Sequence, residues 1–208
     1  IMENKYVITI GRQFGSRGKE IGQALAQRLG IAFYDKELLT LASKESGLCP
    51  EFFEKADEKN SGTLLQAFAT GFTFGAFQYN DFLSNDKLFL IQASVIRKVA
   101  EEGSCVIVGR CADYILRDKK YKVDIFVHAD IEKRVQTVMH RQNISEQEAR
   151  DMIRKMDKTR PNYYNYYSDK AWGVSSSYDL SVNSGLLPLE DTVTFIQNFV
   201  EQVLKQVK

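Results

Sequence analysis

Residues 11–19 read Gly-Arg-Gln-Phe-Gly-Ser-Arg-Gly-Lys, three glycines in nine positions ending on a lysine. A short β-branched run, Tyr6-Val7-Ile8-Thr9-Ile10, comes before them. An apolar stripe at Ile21, Leu25 and Leu29 follows, with Gly30 as its stop. Strand, glycine-rich turn and a helix opening near Gly18 together make a phosphate cradle. Backbone N–H groups of the turn and of the first helical turn converge on one place, and the helix dipole favours an anion there. Gly15 and Gly18 allow close approach of the backbone to oxygen atoms, and Lys19 adds a mobile positive charge. The pattern departs from G-x-x-x-x-G-K-[ST] at two positions. Gln13 stands where the first glycine belongs, and Glu20 where the magnesium-binding hydroxyl belongs. Taken alone, the segment reads equally well as a tight turn between strand and helix.

Arginine supplies the rest of the chemistry such a cradle needs. Its planar fork pairs with phosphate oxygens bidentately and keeps its proton. Arg110 stands just beyond an apolar run, Cys105-Val106-Ile107-Val108-Gly109, at the strand end where open α/β sheets bind ligands. Arg134 and Arg141 are two helical turns apart and share a face. Arg154 and Asp157 are three apart and can brace each other. Each of these arginines also reads as part of a solvated helix face. Asp35 closes a second strand expected over Ile31 to Tyr34, as a carboxylate for magnesium through water or as an N-cap for the next helix; Ser16 is a further metal neighbour. Tyr163-Tyr164-Asn165-Tyr166-Tyr167 offers rings for stacking on a base, for packing, or for a subunit contact.

Composition narrows the classes. The 208 residues, 44% hydrophobic and 26% charged, suffice for one α/β domain with a sizeable core. A net charge of +1, from 28 basic and 27 acidic residues, favours neither nucleic acid nor a membrane surface. No apolar run approaches the roughly 18 residues a bilayer span needs. Met2-Glu3-Asn4-Lys5 leads into the first strand without a signal-peptide pattern. Cys49, Cys105 and Cys111 are odd in number and lack C-x-x-C spacing, which gives free thiols and a cytoplasmic expectation. His128 and His140 are the only histidines, so a His-rich metal site is excluded and a Ser-His-Asp triad disfavoured.

The elements that position these residues follow from periodicity. Helices are expected over about 37–44, 86–101 and 130–141. Another is expected after the capping box Ser145-Glu146-Gln147-Glu148, and one after Pro188 with Val193, Ile196, Val200, Val203 and Leu204 inward. Further strands are expected at Cys105–Val108, Val123–Val127 and Tyr178–Asn183. Alternating strands and helices predict a parallel sheet covered on both faces. The Gly- and Phe-rich stretch 63–80 is compatible with a mobile lobe, a packed hairpin or an oligomer contact through residues 67–82.

The sequence resembles a known family. Ile10 through Gly22, with Phe33-Tyr34-Asp35-Lys36-Glu37-Leu38-Leu39 behind it, is similar to the cytidylate-kinase-like family, a divergent branch of the P-loop nucleoside monophosphate kinases. The likeness continues at Val106-Ile107-Val108-Gly109-Arg110, in Arg154-x-x-Asp157-x-x-Arg160, and in Trp172-Gly173 through Asn183. The resemblance implies a three-layer α/β/α P-loop fold with a five-stranded parallel sheet and a helical lid. It implies one domain over 1–208, with an inserted acceptor-side segment at about 48–85 and the lid at about 141–172.

On that resemblance, Gly15, Ser16, Arg17, Gly18, Lys19 and Glu20 hold the ATP phosphates and Arg110 holds the acceptor phosphate. Arg134, Arg141, Arg154 and Arg160 belong to the lid. Asp157 orients an arginine or touches the acceptor sugar, and Asp35 lies on the acceptor side and binds magnesium through water. Lys19, Arg110, Arg154, Arg160 and Asp157 form the catalytic set. Two departures bear on substrate choice: Cys111 stands where cytidylate kinases commonly carry Asp after Gly-Arg, with Asp113 nearby, and Glu20 lies beside Lys19. The expected reaction passes the γ-phosphoryl group of Mg2+-ATP to a small phosphorylated acceptor such as CMP or dCMP. The alternatives are a kinase of another small metabolite, a nucleotide-binding regulatory module without turnover, or a purely structural, oligomer-forming domain.

Overall fold

In the computed structural model the described residues are 4–35, 38, 40, 41, 44 and 85–207. The chain divides into two compact units, Ile1–Asp35 with Ile96–Lys208, and Lys36–Val95. In the second unit Leu38, Thr40, Leu41 and Lys44 are helical, and Leu38, Leu88, Ala93 and Val95 are buried. The stretch 63–80, Cys49 and nearly all of the segment expected at 48–85 lie outside the described residues.

The first unit is built on five parallel strands: β1 (Val7–Arg12), β2 (Ala32–Tyr34), β3 (Cys105–Val108), β4 (Lys122–His128) and β5 (Leu180–Asn183), in the spatial order β2-β3-β1-β4-β5. Its helices are α1 (Gly18–Leu29), α3 (Ala112–Ile115), α4 (Ile131–Gln142), α5 (Glu146–Tyr167) and α6 (Leu189–Gln206), on both sides of the sheet, while α2 (Asn85–Glu102) belongs to the second unit as far as Val95 and to this one from Ile96. The central strand β1 sends its chain to β2 on one side, while β4 and β5 lie on the other. Its C-terminal end is therefore a topological switch point, where ligands of open α/β sheets bind.

Alternation along the strands sends Ile8, Ile10, Val106, Val108, Val123, Ile125 and Val127 to one face, where they pack with Ile21 and Leu25 of α1 and Val193, Ile196, Val200 and Leu204 of α6. Gly30 ends α1 in the left-handed conformation, its N–H and that of Ile31 returning to carbonyls of the last turn. Ile31 is thus spent on the cap, and β2 begins one residue later than expected. The capping box forms as expected: Glu148 N–H donates to Ser145 Oγ and Ser145 N–H to the Glu148 carboxylate, opening α5.

The other face carries polar groups. Thr9 Oγ1 donates to Asp124 Oδ1 at 2.7 Å, Lys122 pairs with the same carboxylate, and Lys170 Nζ lies 3.5 Å from it. The strand expected from Tyr178 begins only at Leu180. The Asp179 carboxylate takes the Asp124 N–H, and Tyr178 packs its ring on Phe126, which Trp172 meets edge-on.

Leu25 is fully buried between α1, the sheet and α6. Leu25→Ala is expected to cost about 2–5 kcal/mol, read as a lower urea midpoint at unchanged slope.

Candidate active site

The turn after β1 is pinned rather than loose. Gln13 N–H donates to Val127 O at 3.0 Å, and the Gln13 side chain accepts the Ala129 N–H. Ser16 is buried, its hydroxyl within reach of the carbonyls of Gln13 and Val127, while Ser184 Oγ donates to Ser16 O at 2.6 Å. Ser16 therefore ties the loop to β4, its hydroxyl engaged with the backbone carbonyls of Gln13 and Val127. Gly15 has φ +80°, and a side-chain carbon there would lie 2.8 Å from Arg134 O on α4. The packing of α4 on the loop demands this glycine independently of any ligand. Arg17 takes the left-handed conformation that caps α1, and Gly18 is the first helical residue.

Phe14, at the tip of the turn, reaches the helical hairpin α4–α5. Its ring packs against the cluster of Val135, Val138, Ala149 and Ile153, with the guanidinium carbons of Arg141 and Arg160 at 5.2 and 5.5 Å from its centroid. Its carbonyl accepts from Arg134 Nη1 at 3.4 Å, and its N–H lies 3.5 Å from Asp157 Oδ1. Arg134 and Asp157 are themselves joined at 2.6 Å, with Arg134 buried. Arg160 Nη1 donates to Arg12 O at 2.8 Å. Arg134, Arg160 and Asp157 thus grip the loop backbone, and Arg141 covers the Phe14 ring.

The bracing expected between Arg154 and Asp157 is not what the fold makes. Asp157 turns inward to Arg134, whereas Arg154, its side chain 77% exposed, pairs with Asp151 at 3.2 Å. Arg154 and Asp157 line a groove of about 480 Å³ with Ile131, Arg150, Ile153 and Lys158. Arg134 and Arg141 diverge as well: the first is buried at Asp157, the second lies 3.5 Å from Glu20 Oε1. The second Glu20 carboxylate oxygen is buried with no hydrogen-bond partner among the described residues.

On the other side of the loop Lys19 Nζ lies 3.0 Å from Asp35 Oδ2, and Arg12 Nη2 3.6 Å from Asp35 Oδ1. Asp35 is buried at the end of β2. At the end of β3, Gly109, Arg110 and Cys111 have φ +77°, +60° and +54°, three left-handed residues in succession before α3. A side chain in that region costs about 1–2 kcal/mol per residue, so Arg110 is held at the sheet edge in a strained turn. Burial raises the Cys111 thiol pKa, with Asp113 adding to the effect, and pushes that of Cys105 up to about 12. Both thiols are thereby held in the neutral form near neutral pH, the less nucleophilic one.

Asp113 is buried below this turn. Tyr164 of α5 donates to it at 2.6 Å and Lys170 Nζ lies 3.6 Å away; burial, the largest cause, raises its pKa. Of the tyrosine run, Tyr164 is a packing residue, Tyr163 and Tyr167 contact each other, and Tyr166 is exposed.

Two residues of this site escape a motif reading. Arg12 shows the same signal as Arg110, a cation ending an apolar strand at the C-terminal edge of the sheet. Phe14 shows itself only as a large apolar residue inside a glycine turn.

A parallel sheet carrying a glycine loop and Lys19 at the end of its middle strand is a P-loop kinase fold. Residues 7–186 match the cytidylate kinase-like family, and the chain belongs to it. A solved structure of an uncharacterized protein from Eubacterium ventriosum ATCC 27560 is similar at 29% identity and a TM-score of 0.71, covering 95% of this chain and 99% of that one. A shikimate kinase from Bacteroides thetaiotaomicron shares the fold at 14% identity and TM-score 0.55, with 95% and 99% covered. So does a gluconokinase from Sinorhizobium meliloti 1021, at 12% and 0.56, with 97% and 94% covered. No curated protein matches the chain. Family and fold support a phosphotransferase acting with a nucleotide and a small substrate. Among the described residues no helix is long and apolar enough to cross a membrane.

Removing the Asp157 charge leaves the buried Arg134 guanidinium unpaired. Asp157→Asn is expected to cost about 1–3 kcal/mol in urea unfolding, whereas Arg154→Ala stays within about 0.5 kcal/mol. Peptides carrying Cys105 and Cys111 should remain unmodified by iodoacetamide at about pH 8 until denaturant is added, as read by mass spectrometry.

Proposed function

We propose that the protein transfers the γ-phosphoryl group of Mg2+-ATP to a nucleoside monophosphate of the CMP or dCMP kind. The observation that carries this reading is the placement of Lys19, at the N-terminus of α1 behind the glycine loop, beside the Asp35 carboxylate at the sheet edge. Family membership supports it. Phosphoryl transfer asks little covalent chemistry of a protein; it asks for positioned phosphates and neutralised charge.

In this reading the loop backbone from Gly15 to Glu20 cradles the donor phosphates, and Lys19 follows the β- and γ-phosphates through transfer. Arg110 takes the acceptor phosphate. Arg160 lies close enough to the loop, through Arg12 O, to serve the transferred group. Arg154 would reach it only by closure of the lid, residues 141–172. Arg134 and Asp157 hold the loop in shape, and Asp157 meets the acceptor only if that pairing opens. The acceptor phosphate is already ionised near neutral pH, so no general base is demanded.

Magnesium fits this donor set in one way. Among the described residues no three acidic, His or Cys side chains could hold a metal by themselves. Mg2+ is commonly bound by one or two carboxylates together with substrate phosphates and water. Asp35, of the right oxygen chemistry and beside Lys19, would hold it through water, and the ion would neutralise charge on the phosphates.

A second reading has a specific observation behind it. Glu20 occupies the position of the metal-binding hydroxyl and engages Arg141, which suits a nucleotide-binding module without turnover. Turnover itself separates the two. ADP formation from Mg2+-ATP should appear with CMP or dCMP in a panel of nucleoside monophosphates supplemented with shikimate and gluconate. Lys19→Met should lower it by about a hundredfold or more. Turnover with shikimate or gluconate alone would move the acceptor to another metabolite, and ATP binding with no turnover across the panel would favour the regulatory module.

A further inference from the structure

Helix α5 meets the candidate site at two places along one face. Asp157, Arg160 and Tyr164 follow one another at three and four residues, the spacing that lines side chains along one side of a helix. Asp157 and Arg160 hold the glycine loop, through the Phe14 N–H and the Arg12 carbonyl. Tyr164, on the order of 10 Å further along the axis, reaches α3 instead. Its hydroxyl donates to Asp113 Oδ2 at 2.6 Å, and both residues are buried.

The turn in front of α3 needs such a hold. Arg110 and Cys111 both lie in the left-handed region, at a cost of about 1–2 kcal/mol each, and residues of this kind persist only where their surroundings over-determine them. On the strand side the Gly109 N–H donates to Ile10 O at 2.9 Å, and the Arg12 guanidinium lies where a side chain on Gly109 would run into it. On the other side α3 has only four residues, too few to keep its own conformation in water. It is held by the burial of Ala112 and Ile115 and by three polar ties to the end of α5 and the segment after it. These are Tyr164 on Asp113, Lys170 Nζ 3.6 Å from the same carboxylate, and the Tyr114 hydroxyl 3.5 Å from Asp169 Oδ2. Lys170 divides its charge with Asp124 and Asp169 is exposed, so the Tyr164–Asp113 bond is both the shortest and the most buried of the three.

We propose that Tyr164 is a positioning residue for the acceptor: through Asp113 it fixes the turn that carries Arg110, so that α5 sets the separation between the donor-phosphate loop and that arginine. The proposal rests on the phosphoryl-transfer reading and adds to it the element that keeps the two sides in register. In-line transfer depends on that register, because a misplacement of about 1 Å can cost on the order of a hundredfold in rate. The Tyr164 hydroxyl acts only as a hydrogen-bond donor. Burial and its bond to Asp113 raise its pKa, so it keeps its proton throughout the neutral range.

The test separates the acceptor side from the donor side. Tyr164→Phe removes one hydroxyl and keeps the ring. ADP formation is followed at a temperature where circular dichroism shows the variant folded, with CMP varied at saturating Mg2+-ATP and then Mg2+-ATP varied at saturating CMP. KM for CMP should rise about tenfold, with KM for ATP within about twofold of the parent. Asp113→Asn keeps an oxygen that accepts from Tyr164 and should fall between the parent and Tyr164→Phe. The double variant Tyr164→Phe/Asp113→Asn should lose no more than Tyr164→Phe alone. Amide hydrogen exchange of Tyr164→Phe should quicken over residues 109–116 and stay as in the parent over 13–19. An unchanged KM for CMP in Tyr164→Phe, or unchanged exchange over 109–116, would overturn the proposal. So would an equal rise in both KM values, the mark of a general loss of packing. Should Tyr164→Phe not fold, Asp113→Asn is judged by the same split between the two KM values. A parent that forms no ADP with CMP would instead defeat the reading on which the proposal rests.

Discussion

The grip on Phe14 is the constraint on which the candidate site depends. A loop that presents backbone N–H groups to phosphate must hold its shape before the ligand arrives, since donors that reorganise on binding return part of what they gain. Here Arg134 and Asp157 hold the two backbone groups of Phe14, α4 and α5 enclose its ring, and Ser16 and Gln13 anchor the following turn to β4. One side of the loop is thereby fixed to the helical hairpin and the other to the sheet. The same contacts couple the hairpin to the loop: movement of α5 must either carry Phe14 with it or break the bonds to its backbone.

Charge is organised on the same principle. Cations near the loop are held by carboxylates, Lys19 and Arg12 by Asp35 and Arg141 by Glu20. These pairs set side-chain positions, and in the proposed reading the donor phosphates take the place of Asp35 at Lys19. A separate polar network lies on the sheet face under the hairpin's far end, where Tyr164 ties α5 to Asp113 just beyond the strained Gly109-Arg110-Cys111 turn. The glycine loop and the turn after β3 are thus both tied to α5, through Asp157 and Arg160 at one point and Tyr164 at the other.

The architecture was legible in the sequence because periodicity carries it. β-branched runs gave the parallel strands, the Ile21-Leu25 stripe gave α1, and Ser145-x-x-Glu148 gave the start of α5. The glycine loop was legible as a motif, and the family resemblance proved correct. Side-chain partners were not legible, because spacing along one helix ranks local pairs and says nothing of what a neighbouring helix offers. Arg154 and Asp157 satisfy the i,i+3 rule, yet a partly buried carboxylate gains more from the desolvated Arg134 than from an arginine in water. Gly15 likewise follows from α4, Gly109 from Arg12, and the late start of β5 from the Asp179 side chain. Each depends on elements distant in sequence.

The central claim, that the loop around Lys19 receives the donor phosphates at the edge of β1, is tested most directly by a crystal structure with magnesium and a non-hydrolysable ATP analogue. The account predicts the β-phosphate within hydrogen-bond reach of the N–H groups of residues 15–19, Lys19 Nζ on the phosphates in place of Asp35, and Phe14 still held by Arg134 and Asp157. A nucleotide bound away from this loop, or a loop that must abandon the Phe14 contacts to admit it, would contradict the account.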